Sequence, residues 1–557
     1  MDRSTRCLQS NRGLSTDVRA APGWASVIAN TLATGGTAAP RTMGAITIWT
    51  YTNSILYYFP MPSKALPKPP DVFGRDHEWD DLVEFAMCPG PGLRLAIVRG
   101  RRRQGKSFLL RRLANACNGF YHQALEEEPT QAREGLGAAL GQHLGVAGGR
   151  LAFDSWAQAV DALADQKATR DNPALVVLDE FPYMLDHSPE LQSILQRAVD
   201  SRRSSDASPV RLILCGSALA VMSKLLAGTR ALRGRATLDL VIQSFGHRDA
   251  ADFWGIARPQ IAFHAYAVFG GTPGYRDLLT APPPKTLSAF GGWLGRGPLN
   301  PASALFREDD YLLTGEPTLT DRGLYHSVIT AIADGRTTQG AIAADLGREQ
   351  RSVQYPLSAL QEAGFVIRDD DMLRQRRPAY RLADPILRFH HAVTRPDIAR
   401  FEDRRTAEAW SDAEDRFRSQ VLGPQFEQVA RDFTLHHAAT STLGGIASRV
   451  GRTVVNDPTE RTQHELDVVA IDTSTRHRRP RVLVLGEAKH SNRRRGIGDI
   501  RRLERIRELV SERDDVDATE AKLAIFSSSG FERNVSQLSR ERTDVLLVDL
   551  DRIYTGA

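Results

Sequence analysis

The sequence predicts an α/β protein built from several domains, and three observations lead to this fold class. Apolar runs of strand length alternate with segments of helical periodicity over residues 93–218, as in a parallel sheet covered on both faces. Residues 318–392 predict three helices followed by a hairpin. After residue 460, two apolar strands carry charged residues at alternate positions. A chain of 557 residues is long enough for about three or four domains, at roughly 150 residues each.

Composition and charge restrict the class of protein. Hydrophobic residues make up 41% and charged residues 25% of the chain, which is ordinary for a globular protein. The net charge of +5 permits a nucleic-acid partner but does not require one. The four cysteines form no C-x-x-C pair, which fits a reducing cytoplasm and argues against a disulfide framework or a zinc site. No apolar run reaches the roughly 18 residues of a membrane span, so we expect a cytoplasmic protein with no membrane partner.

Residues 93–117 predict a phosphate-binding loop between a strand and a helix. An apolar run at 95–98 comes first, and residues 100–107 then fit G-x4-G-K-[ST] before a helix over 107–117. The glycines let backbone N–H groups turn towards an anion, and the helix directs its positive end to the same place. The predicted nucleotide-binding residues are Gly100, Arg101, Arg102, Arg103, Gln104, Gly105, Lys106, Ser107 and Phe108.

An acidic strand end is predicted beside this loop. The apolar run 173–178 leads into Asp179 and Glu180, and the carboxyl ends of parallel strands meet at one edge of a sheet. Lys106 is predicted to neutralise the β- and γ-phosphates, while Ser107 and Asp179 hold Mg²⁺. Glu180 is predicted to polarise the attacking water.

Two serines near the same edge carry further predictions. Ser217 ends the strand 210–217, where it either senses the γ-phosphate or caps the following turn. Ser188, followed by a proline, predicts the start of a helix. The apolar face of that helix consists of Leu191, Ile194, Leu195 and Ala198.

Four segments together resemble the archaeal-type ATPase family, a branch of the AAA+/STAND P-loop NTPases. They are FGRDHE at 73–78, GRRRQGKS at 100–107, VLDEFPY at 177–183 and LCGS at 214–217. The resemblance covers about residues 72–310 and implies an ATPase core followed by a helical lid. It implies ATP and Mg²⁺ as cofactors, and the preference for adenine over guanine rests on this resemblance alone.

Two further segments resemble the same family. LRGRAT at 232–237 resembles the Gly-Arg segment before the lid, and GGTPGY at 270–275 resembles a Gly-x-Pro turn within the lid. By this resemblance, Arg235 reaches the nucleotide or a neighbouring subunit. The alternative is that Arg235 packs on the edge of the sheet.

The three predicted helices and the hairpin after residue 318 resemble a winged helix-turn-helix. The third helix, predicted over 350–363, would be the one that reads DNA, and it offers Arg348, Arg351 and Gln354. Three aspartates at 369–371 fall in the predicted wing and weaken the case for DNA. Two interpretations stay open, namely DNA binding and a module used for packing and signal relay.

The last part of the chain places a second group of charged residues on adjacent predicted strands. Asp467 lies on one strand, and Glu487 and Lys489 share one face of the next. If the strands pair, the two carboxylates can bind Mg²⁺ and the lysine can stabilise the transition state of phosphodiester cleavage. The pattern D…E-A-K resembles the PD-(D/E)xK signature and implies a restriction-endonuclease-like domain. The alternative is an exposed strand face with alternating charges.

Other residues could extend this second site. Glu427, on an early helix of the domain, is a candidate third acid. The candidates to follow a phosphate backbone are His490, Arg493, Arg494, Arg495, Arg501, Arg502 and Arg505. The alternative for these basic residues is a solvated helix face, because Glu504 and Glu508 can form helical charge pairs with them.

These predictions divide the chain into five parts. They are 1–70, a disordered tail or a stretch before a natural start at Met43 or Met61; 71–232, the ATPase core; 233–317, the lid; 318–395, the winged helix; and 396–557, the nuclease-like domain. The leading hypothesis is an ATPase that couples its nucleotide state to DNA binding and to Mg²⁺-dependent cleavage. The first alternative is a regulatory scaffold with slow turnover, whose inactive nuclease-like domain binds nucleic acid or protein. The second is a partner-sensing switch without a DNA role, and a homo-oligomer is compatible with each.

Overall fold

The structure is a computed structural model that describes residues 66–203, 207–228, 230–374, 377–474 and 479–556. Most of the predicted tail, including both candidate start residues, lies outside these ranges. Residues 66–70, which the sequence assigned to the tail, belong to the folded chain. The carbonyl oxygen of Leu66 accepts a hydrogen bond from Trp79 Nε1 at 3.0 Å, because a buried indole requires an acceptor.

The first domain is a parallel sheet with helices on both faces, as predicted. Its elements are α1 (Asp76–Met87), β1 (Leu93–Arg99), α2 (Lys106–Ala116), β2 (Phe120–Gln123), α3 (Pro129–His143), α4 (Trp156–Ala164), β3 (Ala174–Asp179), α5 (Phe181–His187), α6 (Leu191–Ser201), β4 (Val210–Gly216), α7 (Leu219–Leu225) and β5 (Ala236–Val241). The strand order is β2-β3-β4-β1-β5, and each neighbouring pair is parallel. Strand β4 therefore separates the strand before the loop from the strand that ends in the two acids.

Two sequence predictions for this domain require correction. Residues 236–241 were assigned to the lid, but β5 pairs with β1 and completes the sheet. This edge strand is only partly buried, so it lacks the continuous apolar run that marks the inner strands. Ser188 does not cap α6, because its Oγ accepts a hydrogen bond from the buried Trp156 Nε1 at 2.7 Å.

A helical segment and a three-helix module follow the sheet. The helical segment comprises α8 (His247–Trp254), α9 (Pro259–Phe269), α10 (Phe290–Leu294) and α11 (Glu308–Thr314). The three-helix module comprises α12 (Arg322–Ala333), α13 (Gln339–Asp345), α14 (Gln354–Glu362, after a 3-10 turn at Gln350–Val353) and an antiparallel hairpin of β6 (Val366–Asp369) and β7 (Ala379–Leu382). Three helices and a hairpin thus occupy the positions that the sequence indicates.

A helical connector leads to the last domain. It comprises α15 (Pro385–Phe389), a π-helical turn at His390–Thr394, α16 (Ile398–Glu402), α17 (Thr406–Arg416) and a second π-helical turn at Phe417–Leu422. The last domain comprises α18 (Gly423–His436), α19 (Thr440–Leu443), β8 (Arg449–Asp457), β9 (Thr462–Asp472), β10 (Arg481–Lys489), α20 (Ile497–Ser511), β11 (Lys522–Ser527), α21 (Arg533–Glu541), β12 (Val545–Asp549) and α22 (Leu550–Thr555).

The sheet of the last domain is mixed and covered on both faces. Its order is β12-β11-β10-β9-β8, with β8, β9 and β10 antiparallel and β10, β11 and β12 parallel. Alternate residues of β9 face opposite cores: Val468 packs in the core that includes α18, and Val469 in the core that includes α20. The first of these cores continues through the connector, the three-helix module and the helical segment.

The tip of the β6–β7 hairpin is docked on the last domain. The Met372 N–H donates to the Arg452 carbonyl oxygen at 2.9 Å, and Arg513 Nη2 donates to the Leu373 carbonyl oxygen at 2.7 Å. Asp371 accepts hydrogen bonds from Thr453 Oγ1 and from the Val454 N–H. The predicted wing therefore forms an intramolecular contact. Among the described residues, no helix is both long and apolar enough to cross a membrane.

Candidate functional site

The loop between β1 and α2 adopts a backbone that glycine permits. Gly105, which precedes the first residue of α2, has a φ of 85°, and Arg103 has a φ of 65°. A Cβ atom at Gly100 would lie 2.5 Å from the Ile242 carbonyl oxygen, so no side chain fits there. The loop therefore has a compact backbone conformation that places Lys106 and Ser107 at the start of α2.

Lys106 lies inside this loop. Its side chain is almost fully buried, and its Nζ donates to the Arg101 carbonyl oxygen at 2.9 Å. Burial lowers the pKa of Lys106, while the nearby Glu180 and Asp179 favour its charged form. The ammonium group is thus placed between the loop and the acidic end of β3.

The two acids at the end of β3 have fixed orientations. Asp179 is fully buried, accepts from the Tyr121 hydroxyl at 2.6 Å and accepts from the Glu180 N–H at 2.9 Å. Glu180 has a φ of 51°, and its Oε2 accepts from the Ser217 hydroxyl at 2.9 Å and from the Ser217 N–H at 3.2 Å. Ser217 thus orients Glu180, and it makes no capping bond at the start of α7.

A cavity of about 370 Å³ opens beside the loop. Its lining includes Lys106, Ser107 and Glu180 together with the aromatic rings of Phe73, Phe245 and Phe253. The centroids of these three rings lie 5.3–5.6 Å apart. A cavity lined by cationic and aromatic side chains suits a molecule that carries both phosphates and a planar base. The two rings from the helical segment were not identified in the sequence, because nothing local distinguishes them from core phenylalanines.

Two of the loop arginines, Arg101 and Arg103, form ion pairs with different parts of the fold. Arg101 forms an ion pair with Asp384 at 3.2 Å, just before α15, and neither Arg101 nor Gly100 lines the cavity. Arg103 makes two hydrogen bonds to Glu308 in α11, at 2.7 and 2.9 Å. The seven residues from Arg102 to Phe108 line the cavity. Of the nine predicted nucleotide-binding residues, Gly100 and Arg101 therefore lie outside the lining of this cavity.

These ion pairs connect the loop to distant elements. Glu308 is 1% exposed, so Arg103 neutralises a carboxylate that burial would otherwise disfavour. Arg101 also stacks over Phe365, at 4.8 Å from the ring centroid, next to the start of β6. The loop is thus held directly against the helical segment and the three-helix module.

Arg235 lies away from the loop and pairs with Asp200 through Nη2 at 2.6 Å. This contact agrees with the alternative in which Arg235 packs on the protein and does not reach the nucleotide.

In the last domain, β9 and β10 bring the second predicted group together. The register pairs Val468 with Gly486, which places Asp467 beside Glu487. Lys489 Nζ lies 3.2 Å from Asp467 Oδ2 and 2.9 Å from Glu487 Oε1. The Ala488 N–H donates to Asp467 Oδ2 at 2.9 Å, so the aspartate is locked onto the neighbouring strand. Asp467 and Glu487 are both buried, unlike the charges of a solvated strand face.

Two further charges surround this cluster. Arg502 Nη1 lies 2.7 Å from Glu487 Oε2, close enough for an ion pair although the angles of a hydrogen bond are not met. Burial, reinforced by the negative charge of Asp467, raises the pKa of Glu427 to about 7. Glu427, the candidate third acid, therefore lies within electrostatic reach of Asp467 and Lys489.

Most of the residues predicted to follow a phosphate backbone, namely His490 and the arginines between 493 and 505, make contacts within the protein. His490 packs against Phe263, with ring centroids 5.3 Å apart, and burial lowers its pKa to about 4, so it does not face a phosphate backbone. Arg495 pairs with Asp499, and Arg505 makes two bonds to Asp457. Within the described ranges, the members of this group that are exposed and form no ion pair are Arg493, Arg494 and Arg501.

The start of the third helix and the segment before it present polar residues to solvent. Arg348 in the preceding loop, Arg351 in the 3-10 turn and Gln354 at the start of α14 are all exposed, and Tyr355 is 71% exposed. Exposed aromatic and guanidinium groups close together in the chain are suited to a nucleic-acid surface. The hairpin tip is already docked elsewhere, so this helix is the accessible part of the module.

The loop, the buried lysine and the two acids at the edge of a parallel sheet define a P-loop nucleotide-binding domain. No protein-family profile matches the sequence. An uncharacterized protein, MJECL04 of Methanocaldococcus jannaschii, is 24% identical over 362 residues, which cover 64% of this chain and 76% of that protein.

Solved structures also resemble this chain, at low sequence identity. The Walker-type ATPase PABY2304 of Pyrococcus abyssi is 19% identical with a TM-score of 0.44, covering 58% of this chain and 96% of its own. The ORC2 protein of Aeropyrum pernix, in ADPNP–ADP complexes, is 16% identical with a TM-score of 0.37, covering 61% of this chain and 96% of its own. At these scores the likenesses define neither a family nor a function for this chain.

Proposed function

We propose that this protein binds ATP with Mg²⁺ in the cavity beside the loop and hydrolyses it. The observation that carries the proposal is that Lys106, Ser107 and Glu180 line a cavity that aromatic rings also line, with the buried Asp179 close enough to Lys106 to favour its charged form. In this proposal Lys106 neutralises the β- and γ-phosphates, and Ser107 with Asp179 holds Mg²⁺. Each Asp179 oxygen already accepts one hydrogen bond and keeps a further lone pair for the ion or its water shell.

Glu180 is the proposed general base. Its carboxylate lines the cavity and is oriented by two donors from Ser217, so it can accept a proton from an attacking water without reorganising. Ser217 would then be a positioning residue that couples the end of β4 to the catalytic group. Arg102, whose Nη2 donates to the Tyr183 hydroxyl at 3.2 Å, also lines this cavity.

We further propose that nucleotide state is coupled to DNA binding by the three-helix module, acting as a winged helix. The triphosphate carries negative charge to the loop, where it competes with Glu308 for Arg103, which lines the cavity. A change in this ion pair is transmitted directly to α11. The exposed start of the third helix and the turn before it, with Arg351, are the proposed DNA-binding surface.

A salt titration tests the DNA proposal. Binding of a short duplex should weaken linearly with the logarithm of salt concentration, and Arg351→Ala should lower that slope by about 1. Arg296→Ala, at an exposed arginine of the helical segment, is the matched control and should leave the slope unchanged. Equal affinities for both variants, together with a flat salt dependence, would favour the packing-and-relay alternative.

A second proposed function is metal-dependent cleavage of nucleic acid by the last domain. The buried pair Asp467 and Glu487 offers carboxylate oxygens of the kind that Mg²⁺ prefers, and Lys489 contacts both. Glu427 would supply a third acid. Asp467 and Glu487 would hold the ion, which would supply Lewis-acid activation of a water or the phosphate, while Lys489 would stabilise the charge that develops on the phosphate.

Plasmid nicking tests this second function. With Mg²⁺ or Mn²⁺, wild-type protein should nick supercoiled plasmid, and Asp467→Asn and Lys489→Ala should each reduce the rate by at least ~100-fold. Glu465→Gln, an exposed acid two residues from Asp467 on β9, is the matched control and should nick normally. No nicking with either metal and any nucleotide would support a non-cutting domain that only binds its partner.

A further inference from the structure

A second cluster of metal-type ligands lies outside both sites. It consists of Asp309 on α11, His326 on α12 and His391 in the π-helical turn after α15. Asp309 Oδ2 lies 3.8 Å from His391 Nε2 and 3.9 Å from His326 Nδ1. Asp309 is 3% exposed and His391 is 1% exposed, whereas His326 is partly exposed at the edge of the cluster.

The cluster contains three buried polar atoms that lack hydrogen-bond partners. They are Asp309 Oδ1, His326 Nδ1 and His391 Nε2. An unsatisfied buried polar atom costs about 1–3 kcal/mol, and proteins rarely leave such atoms unpaired. Here three of them belong to side chains that face one another from three different elements.

The partners of His391 lie at Nδ1, on the side away from Asp309. Nδ1 lies 2.8 Å from the Thr330 hydroxyl oxygen, whose hydroxyl also bonds the His326 carbonyl oxygen at 2.8 Å, and 3.4 Å from Arg395 Nη1. His391 Nε2 has no hydrogen-bond partner, so it is the nitrogen available to a metal ion. In the tautomer with the hydrogen on Nδ1, Nε2 carries the lone pair that a metal ion needs.

Charged side chains lie close to the other two ligands as well. His326 Nε2 lies 3.3 Å from Asp310 Oδ1, and His390 Nε2 lies 3.1 Å from Asp309 Oδ2, both within ion-pair distance. His326 Nδ1 has no hydrogen-bond partner, so it is the nitrogen available to a metal ion. A carboxylate beside the outer nitrogen of a histidine ligand is a usual feature of metal sites.

We propose that Asp309, His326 and His391 bind one divalent transition-metal ion, with Zn²⁺ as the best fit. Two imidazoles and one carboxylate are ligands that zinc accepts, usually in tetrahedral geometry. Ligand atoms of such a site lie about 3.3 Å apart, since each is about 2.0–2.1 Å from the ion. The observed 3.8 and 3.9 Å require an inward shift of several tenths of an ångström.

The charges around Asp309 agree with this proposal. Among the described residues, the groups within ion-pair distance of this buried carboxylate are His326, His390 and His391, at 3.1–3.9 Å. A divalent cation would supply positive charge at this place.

A metal ion here would join three parts of the fold. Its ligands come from the helical segment, the three-helix module and the connector. Glu308, the residue before Asp309, holds Arg103 of the nucleotide loop through two hydrogen bonds. The ion would thus stabilise α11, the helix whose Glu308 binds the loop. The proposal does not rest on ATP hydrolysis or on DNA binding.

Metal analysis of the full chain tests this site. After dialysis against a chelator and reloading with ZnCl₂, wild-type protein should retain about one zinc per chain by elemental analysis. Its unfolding temperature should rise by at least about 3 °C on reloading. Asp309→Asn and His391→Gln should lose both effects, and Co²⁺ should give wild-type protein a visible d–d absorption that the variants lack.

Controls keep the test decisive. Asp309→Asn removes a poorly stabilised charge without changing size, so its unfolding temperature in chelator should equal or exceed that of wild type. His326→Gln, at the more accessible ligand, serves if either buried variant fails to fold. His187→Gln, at an exposed histidine of α5, should bind zinc like wild type. Less than a tenth of an equivalent of zinc in wild type, or zinc retained by Asp309→Asn, would overturn the proposal.

Discussion

Replacing Lys106 with alanine is expected to reduce ATP affinity by about 100-fold and to abolish turnover. The ammonium group is the one lysine charge that lines the cavity, and hydrogen bonds to charged groups contribute about 1.5–3 kcal/mol each. Two such contacts, to the β- and γ-phosphates, account for the predicted loss. The fold should remain intact, because the lysine is almost fully buried and its removal relieves a desolvated charge.

Titration of a fluorescent ATP analogue measures this effect. Lys167→Ala is the matched control, because Lys167 is exposed and lies outside the cavity lining. The control should bind ATP like wild type, and both variants should keep the wild-type circular dichroism spectrum. Unchanged ATP affinity in Lys106→Ala would place the phosphates elsewhere and contradict the proposed site.

Replacing Glu180 with glutamine is expected to lower the hydrolysis rate by at least ~100-fold while ATP affinity stays within about twofold. The amide keeps the size of the carboxylate, and its oxygen can still accept both hydrogen bonds from Ser217. It cannot accept a proton from water, so the loss should appear in kcat and leave binding intact.

Single-turnover hydrolysis and ATP binding, measured on the same preparation, separate these two quantities. Glu190→Gln is the control, since Glu190 is an exposed glutamate just before α6 and outside the cavity lining. It should hydrolyse ATP at the wild-type rate. If Glu180→Gln also turned over normally, another group would have to activate the water.

Sequence reasoning identified the parts of the nucleotide site that depend on local pattern. The loop at 100–107 is contiguous, and Asp179 with Glu180 follows an uninterrupted apolar strand. Both patterns follow a strand of the parallel sheet, and the carboxyl ends of parallel strands lie at one edge. The sequence therefore predicts that the loop and the two acids lie close together. The same reasoning placed Asp467 beside Glu487, since strand periodicity fixes which side chains share a face.

What sequence reasoning missed depends on contacts between residues far apart in the chain. Arg103 meets Glu308 and Arg101 meets Asp384 only after the helical segment and the connector have packed against the loop. The loop arginines were therefore assigned to the nucleotide without regard to these partners. The aromatic lining of the cavity was missed for the same reason, because Phe245 and Phe253 belong to the helical segment.

The structure differs from the sequence predictions at two further places, and both depend on which side chains are buried. His490 follows Lys489 directly, yet it turns into an aromatic core and away from any phosphate backbone. The cysteine pattern argued against a zinc site, whereas the proposed ligands are an aspartate and two histidines without a shared spacing. Such a cluster becomes visible only once α11, α12 and the turn after α15 are packed together.

Steady-state ATP hydrolysis with Mg²⁺, in the presence and absence of duplex DNA, tests the central proposal most directly. Wild-type protein should hydrolyse ATP, and DNA should raise the rate. Lys106→Ala and Glu180→Gln should show no activity above background under either condition. Tight ATP binding with negligible turnover, unmoved by DNA, would contradict the coupled ATPase and favour a regulatory scaffold that binds a protein partner.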